Sequence, residues 1–353
     1  MSGDPALVLM RGGPGLPDAG APAWDRLADA WAAESLSGLA ITLLEQAGRL
    51  GDLPSTARQK LERDRNAVRA GQTILFDRFD SLAGCLHAAG VPFIVHKGGV
   101  LAELVYERAE DRPMSDIDVI FRPQQWETVR DALRSAGYRL PEGAGESFWL
   151  ENYFNISATS PSPPVAHFDM HWGLTQEGRY HVETAELFDR ALPYRSRLAG
   201  GREVLRLSDE DLLLSLFLHL AYHYFEARLQ WLFDMKRVIE RLPPDWDLLG
   251  RRARAWGLGT VVALNLTYLE KVFPGVVPPE VARAHRIGPV RSLVLGPFRS
   301  PDSRRLFRGW GRRPVQFTLG LAAIDRPRDM ARFAAGKTIR TLRWAGTDPH
   351  HHH

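Results

Sequence analysis

The chain has little of what would place it in a membrane or in an oxidising compartment. Cys85 is its only cysteine among 353 residues, so no internal disulfide can form, and a cytoplasmic, reducing location is expected. No run of about 18 apolar residues occurs, which excludes a membrane-spanning helix. A basic stretch leading into an apolar one is missing from the N-terminal segment, so a secretory signal is not expected. Internal repeats and low-complexity tracts are also missing. Charge of one sign is scarce overall: 45 Lys and Arg stand against 42 Asp and Glu, a net +3. What is present is an ordinary globular mixture, 44% hydrophobic and 25% charged, with length for a substantial core.

The charge is unevenly spread. Residues 281–348 hold 15 basic side chains and 4 acidic ones, and the rest of the chain is net acidic. Such a segment attracts anionic partners, RNA or a lipid surface among them. Its arginines are scattered among apolar residues, which equally fits solvated faces of helices. The terminal His350–His353 run has the form of a purification tag and is set aside.

Periodicity divides the chain further. Residues 1–22, rich in Gly, Pro and Ala, read as a flexible arm. Trp24, Leu27, Ala28 and Trp31 fall at helical spacing, Leu36 to Ala47 continue it, and Thr56 to Ala89 read as one long helix with Leu61, Val68, Leu75, Phe79 and Leu82 on its apolar side. Residues 23–89 are thus a helical section. Residues 90–207 change character: Val91–Val95, Asp116–Phe121, Phe148–Ala158 and Val165–His171 read as strands. Helices are expected after Gly98-Gly99 and over Gln124–Ala136. Residues 208–280 turn helical again behind a capping signal, Ser208 with Asp211 three positions on. Residues 281–349 form the basic segment. The fold class that follows is α+β, a mixed sheet flanked by helices.

The chemistry gathers in the middle section. Asp116 and Asp118 stand two apart on an expected strand and so share a face. Two carboxylates that close repel unless a cation or a proton lies between them, and hard oxygen donors suit Mg²⁺, or Mn²⁺ in its place. Gly98-Gly99, between strand and helix, lets backbone approach a phosphate; the same pair also suits a plain turn. Lys97 adds a positive charge beside it. Arg112 is a candidate to clamp a triphosphate oxygen or to pair with Asp116 and orient it. Asp169 is the candidate third carboxylate of a two-metal site. Its strand alternates Phe168, Met170 and Trp172 with His167, Asp169 and His171. His171 would orient Asp169 or accept a proton. His219 and His223 are four apart, a zinc-compatible spacing, but no Glu follows His219 and no third ligand is evident. Both are expected in the core or facing a nucleotide. Tyr106 and Trp231 are expected in the core, and Asp234 to cap a helix, pair with an arginine or touch substrate.

Taken together, Lys97-Gly98-Gly99, twelve residues, Arg112-Pro-Met-Ser-Asp116-Ile-Asp118, fifty residues, and Asp169-Met-His171-Trp172 resemble the uncharacterised nucleotidyltransferase family of the DNA polymerase β-like superfamily. Ser208-Asp-Glu-Asp-Leu-Leu, His219, His223 and Gln230-Trp-Leu-Phe-Asp234 are similar to its helical part. One departure is Gly99, where many members of the wider superfamily carry Ser. The resemblance implies a polymerase-β-like mixed sheet with N- and C-terminal helical parts. It also implies transfer of a nucleotide from an NTP, with ATP the expected donor, onto an acceptor that is a small molecule, peptide or protein. Lys97, Gly98, Gly99, Arg112 and His171 would bind the nucleotide; Asp116, Asp118 and Asp169 would hold metal and carry catalysis. Two rival readings are a catalytically silent nucleotide-binding module and an enzyme acting on nucleic-acid ends, gripped by the basic segment.

Overall fold

The computed structural model describes residues 7–11, 16, 18, 23–176, 178–226, 228–296 and 312–343. Four helices come first: α1 (Leu7–Met10), α2 (Ala23–Ala33), α3 (Ser37–Gln46) and α4 (Ser55–Ala88). Then come β1 (Phe93–His96), α5 (Gly98–Leu104), β2 (Asp116–Phe121), α6 (Trp126–Ser135), α7 (Ala144–Asn152), β3 (Asn155–Thr159), β4 (His167–His171), α8 (Thr184–Asp189), β5 (Leu192–Arg195) and β6 (Glu203–Arg206). The rest is helical: α9 (Asp209–Tyr222), α10 (Leu229–Arg241), α11 (Trp246–Trp256), α12 (Gly259–Val272), α13 (Pro279–Ala284), α14 (Pro289–Leu295), α15 (Arg312–Ala322) and α16 (Pro327–Arg343). None of the described helices is long and apolar enough to cross a membrane.

The six strands form one mixed sheet in the order β3-β4-β2-β1-β6-β5. β2 runs parallel to β4 and antiparallel to β1, and β1 runs parallel to β6. The alternation expected for β2 and β4 decides what each face carries. Ile117, Val119, Phe168 and Met170 are fully buried, and Phe168 meets Phe79 of α4 at 6.2 Å between ring centroids. The opposite face carries Asp116, Asp118 and Asp169. α4 is long because it backs the sheet as well as the N-terminal helices: Leu61 packs near one end, Phe79, Leu82 and Leu86 near the other, all fully buried. Val68, midway, is only half-buried.

Two expectations need correction, and one hairpin was not expected at all. Phe148–Ala158 is not one strand, because Phe148–Asn152 completes α7. Phe148 and Asn152 are both buried four residues apart, and the Asn152 side chain donates to the Phe148 carbonyl, so a helical period governs up to Asn152. Alternation begins only with Ile156 and Ala158, both fully buried. The β5–β6 hairpin was hidden by Pro193 and by the exposure of β5, which erase the two-residue pattern. Within the segment expected as a loose arm, Leu7–Met10 form a helical turn with Leu7, Leu9 and Met10 buried, and Arg11 donates to the carbonyls of Val272 and Lys271; most of that segment's other positions lie outside the described residues. The basic segment is described only at 281–296 and 312–343.

Gly99 shows how tightly α5 is seated. A Cβ there would lie 2.9 Å from Val95 Cγ1 and 3.3 Å from Ile117 Cγ2, stiff β-branched side chains on β1 and β2. Gly99→Ala is therefore expected to destabilise the fold by about 1–3 kcal/mol, the usual penalty for overpacking, read as a lower urea midpoint at unchanged slope.

Candidate active site

The polar face of the sheet forms one wall of a cleft of about 750 Å³, a size suited to a nucleotide or a small ligand. Parallel pairing sets Asp118 directly beside Asp169, with Asp116 one step earlier on β2 opposite His167. Antiparallel pairing sets His96 of β1 on the other side of Asp118. A row His96–Asp118–Asp169 thus crosses three strands, all three lining the cleft.

Electrostatics along this row are unbalanced. Burial alone would raise Asp118, but the charge of Lys97 and a hydrogen bond from His171 override it and hold the carboxylate well below its ordinary range. Lys97 Nζ lies 2.7 Å and His171 Nε2 2.8 Å from the same oxygen, Asp118 Oδ1. An ionised carboxylate only accepts, so His171 carries its proton on Nε2. Asp169 has no such cation bonded to it. Burial and the negative charges of Asp118 and Asp116 push it up to about 7, relieved in part by the more distant charge of Lys97 and then by Asn155, whose Nδ2 donates at 3.2 Å. Asp116, half-buried, is raised by burial and by Asp118. Asp118, Asp169 and His171 bring one ligand atom each within 4.8 Å of one another.

Lys97 reaches Asp118 from a left-handed backbone, φ 44°, at the residue before α5. Non-glycine residues at such angles cost about 1–3 kcal/mol and gather at functional sites. Gly98 lines the cleft beside it, whereas Gly99 faces away into the packing of β1 and β2. Arg112 lines the cleft too, but its partner is not Asp116. Its Nε and Nη2 make a two-pronged pair with Asp234 of α10, at 3.0 and 2.9 Å. Tyr106 donates to Asp234 Oδ1 at 2.7 Å, and Gln72 of α4 donates to the Arg112 carbonyl at 2.8 Å. Burial opposes the Arg112 charge, yet Asp234 overrides that and raises its pKa.

Helices α9 and α10 supply the facing wall. Trp231, expected in the core, lines the cleft with both histidines, its ring 4.6 Å from His219 and 4.8 Å from His223. Desolvation, then the charge of Lys97, holds His219 well below its usual pKa and brings His223 to about 4. Both rings are neutral at pH 7.

Placed as the sequence suggested, Lys97, Gly98, Arg112, Asp116, Asp118, Asp169 and His171 all face one cleft, and Gly99 alone does not. His171 meets Asp118 rather than Asp169. His96, Asn155, Ser157 and Arg228 went unread. His96 had a signal: it continues Ile94 at the spacing of β1, which runs one residue past the apolar run. Asn155 and Arg228 had none, since their positions depend on pairing and helix docking.

A family model described as an uncharacterised nucleotidyltransferase matches residues 20–274. No curated protein matches. Two solved structures of the antibiotic-resistance factor ANT(2'')-Ia are similar. A solution structure shares 14% identity over 52% of this chain and 92% of that one, with TM-score 0.38. A crystal structure in complex with adenylyl-2''-tobramycin shares 15% over 49% and 93%, with TM-score 0.35. With that match spanning most of the chain, the protein belongs to the uncharacterised nucleotidyltransferase family and is a nucleotidyltransferase.

Proposed function

We propose that the protein moves a nucleoside monophosphate from an NTP, with ATP as donor, to an acceptor hydroxyl or other nucleophile and releases pyrophosphate, using Mg²⁺ or Mn²⁺. One observation carries this reading: two adjacent strands press Asp116, Asp118 and Asp169 together on a cleft wall with less positive charge than they need. The set fits a divalent ion. Its donors are hard oxygens, and Asp169 near 7 marks negative charge that Lys97 leaves unneutralised. When bound, the ion offsets phosphate charge and makes the attacking oxygen more acidic.

The chain's own groups divide the remaining work. Asp116 and Asp118 would hold a divalent ion that offsets triphosphate charge, and Asp169 would help hold a second that activates the acceptor oxygen. His171 and Lys97 fix the Asp118 carboxylate. Lys97 and Arg112 add positive charge where the phosphates lie. Asp234 occupies Nε and Nη2 of Arg112, which leaves Nη1, and that atom lies so close to Gly98 that a Cβ there would fall 2.6 Å from it. The guanidinium is thus steered across the glycine turn, where Nη1 donates to a phosphate oxygen. Positioning and charge neutralisation supply most of the rate in such transfers.

Three outcomes test this. In Asp116→Ala with Asp118→Ala, metal-dependent pyrophosphate release should fall by about 10²-fold or more, with the circular-dichroism spectrum retained; release at the parental rate sinks the assignment. Arg112→Met with Asp234→Leu and Tyr106→Phe replaces the buried pair and the hydroxyl bonded to it by apolar side chains, a change that proteins often tolerate. It should keep the melting temperature within a few degrees while the KM for MgATP rises roughly tenfold or more. The third outcome concerns pH. Asp169 is raised in the folded state to about 7 from an unfolded value of about 3.9. Its cost to the metal-free fold is absent below about 4, grows as pH rises, and is complete above about 7. Because Mg²⁺ needs the ionised form, the melting-temperature gain from a fixed Mg²⁺ concentration should be larger at pH 8 than at pH 5.5. Asp169→Asn should flatten that difference.

A further inference from the structure

The lining of the cleft is lopsided in a way that bears on the acceptor, and the inference rests on the nucleotidyl-transfer reading above. Among the described residues, the only carboxylates on its wall are Asp116, Asp118 and Asp169, the three assigned to metal in that reading. The remaining charges are positive: Lys97, Arg112 and Arg228. Beside Asp169, where the acceptor oxygen would stand, the wall turns aromatic and neutral. Asn155, which donates to Asp169, follows Tyr153 and Phe154 directly in the chain. Trp149 and Tyr153 lie with ring centroids 4.5 Å apart, and Phe154 meets Tyr222 of α9 edge-on at 5.4 Å. All four rings line the cleft. Ser157, paired with Asp169 across β3 and β4, adds a hydroxyl.

We infer that the acceptor is an uncharged or anionic molecule that carries its hydroxyl on or next to a planar ring, seated against Trp149, Tyr153, Phe154 and Tyr222, and that the cleft disfavours polycations. Each extra positive charge on an acceptor would enter a cleft lined by Lys97, Arg112 and Arg228, with all three wall carboxylates assigned to metal and no other carboxylate among the described lining to meet it, so charge selects against polyamines. The flat rings offer large, rigid contact area to another ring. The neutral side chains of Asn155 and Ser157 suit a hydroxyl and give no purchase to an ammonium group beyond ordinary hydrogen bonding.

The test uses the full chain loaded with Mg²⁺ and a non-hydrolysable ATP analogue, whose binding is measured first by calorimetry. Two probes are then titrated at fixed ionic strength: N-acetyltyrosinamide, a neutral phenol, and tobramycin, a polycation. The phenol is expected to bind in the millimolar range, and its affinity to fall roughly tenfold in Tyr153→Ala and in Trp149→Ala, while affinity for the ATP analogue stays unchanged in both. Tobramycin is expected to bind more weakly than the phenol. Tighter binding of tobramycin, no binding of the phenol, or phenol affinity unchanged in both variants overturns the acceptor class and leaves nucleotidyl transfer standing. Failure of the parent protein to bind the ATP analogue overturns the reading beneath it as well.

Discussion

Three carboxylates and a lysine share a strip of sheet barely two strands wide, and much of the molecule answers to the repulsion among them. Parallel pairing of β2 with β4 leaves Asp118 and Asp169 as direct neighbours. Their other faces sit on Ile117 and Phe168, both fully buried, so neither strand can slip by one residue without driving acid into the core. The charge is therefore trapped at the cleft and has to be answered there. Lys97 answers part of it by adopting a left-handed backbone that a glycine would enter more cheaply. His171 answers another part with a hydrogen bond whose other end stays neutral. Both act on Asp118. Asp169 bonds Asn155 and feels Lys97 only through space, and the imbalance between the two carboxylates suits the strip to a cation rather than to a finished salt bridge.

A second tier of contacts holds this strip in place. Arg112 sits where the loop before β2 crosses α10, and four elements fix it: Asp234 from α10, Tyr106 after α5, Gln72 from α4, and Gly98, whose missing side chain makes room for the guanidinium. Gln230 of α10 adds a bond to the Pro113 carbonyl. The helical parts on either side of the sheet are thus joined through the residues that lead into Asp116. A buried pair of this kind contributes little net stability, because desolvating both charges offsets their attraction. Its value lies in geometry.

Local rules carried the sequence reading a long way. The two-residue period of β2 and β4 put the three aspartates on faces that turned out to be one face, and the long apolar stripe of α4 emerged with its ends nearly right. What stayed hidden depended on contacts distant in sequence. Asp234 lies 122 residues from Arg112, and no spacing rule links them. The second half of α7 was read as strand because Phe148 and Trp149 are strand-favouring, while its helical character rests on the two buried positions, Phe148 and Asn152. The sum of charges in the basic segment left its role open. In its described parts, Arg291 bonds Thr260, Asp325 and two carbonyls, and Arg326 bonds the carbonyls that end α11. These arginines pin helices together, which a charge count cannot distinguish from a grip on an anion.

The two walls of the cleft are held by different constraints. The sheet wall can change little, since every acidic side chain there alternates with a fully buried apolar neighbour and faces its counterpart across a ladder. The opposite wall comes from α7, its exit at Tyr153 and Phe154, and the ends of α9 and α10. Trp149, Tyr153, Tyr222 and Trp231 are only partly buried, and their backbones answer to helix packing rather than to metal geometry. On the reading proposed above, replacing those rings would alter which molecule rests beside Asp169 without disturbing the carboxylates. Reactivity would then follow from strand register and selectivity from side chains at the ends of helices, so that the chemistry could stay while the acceptor changed.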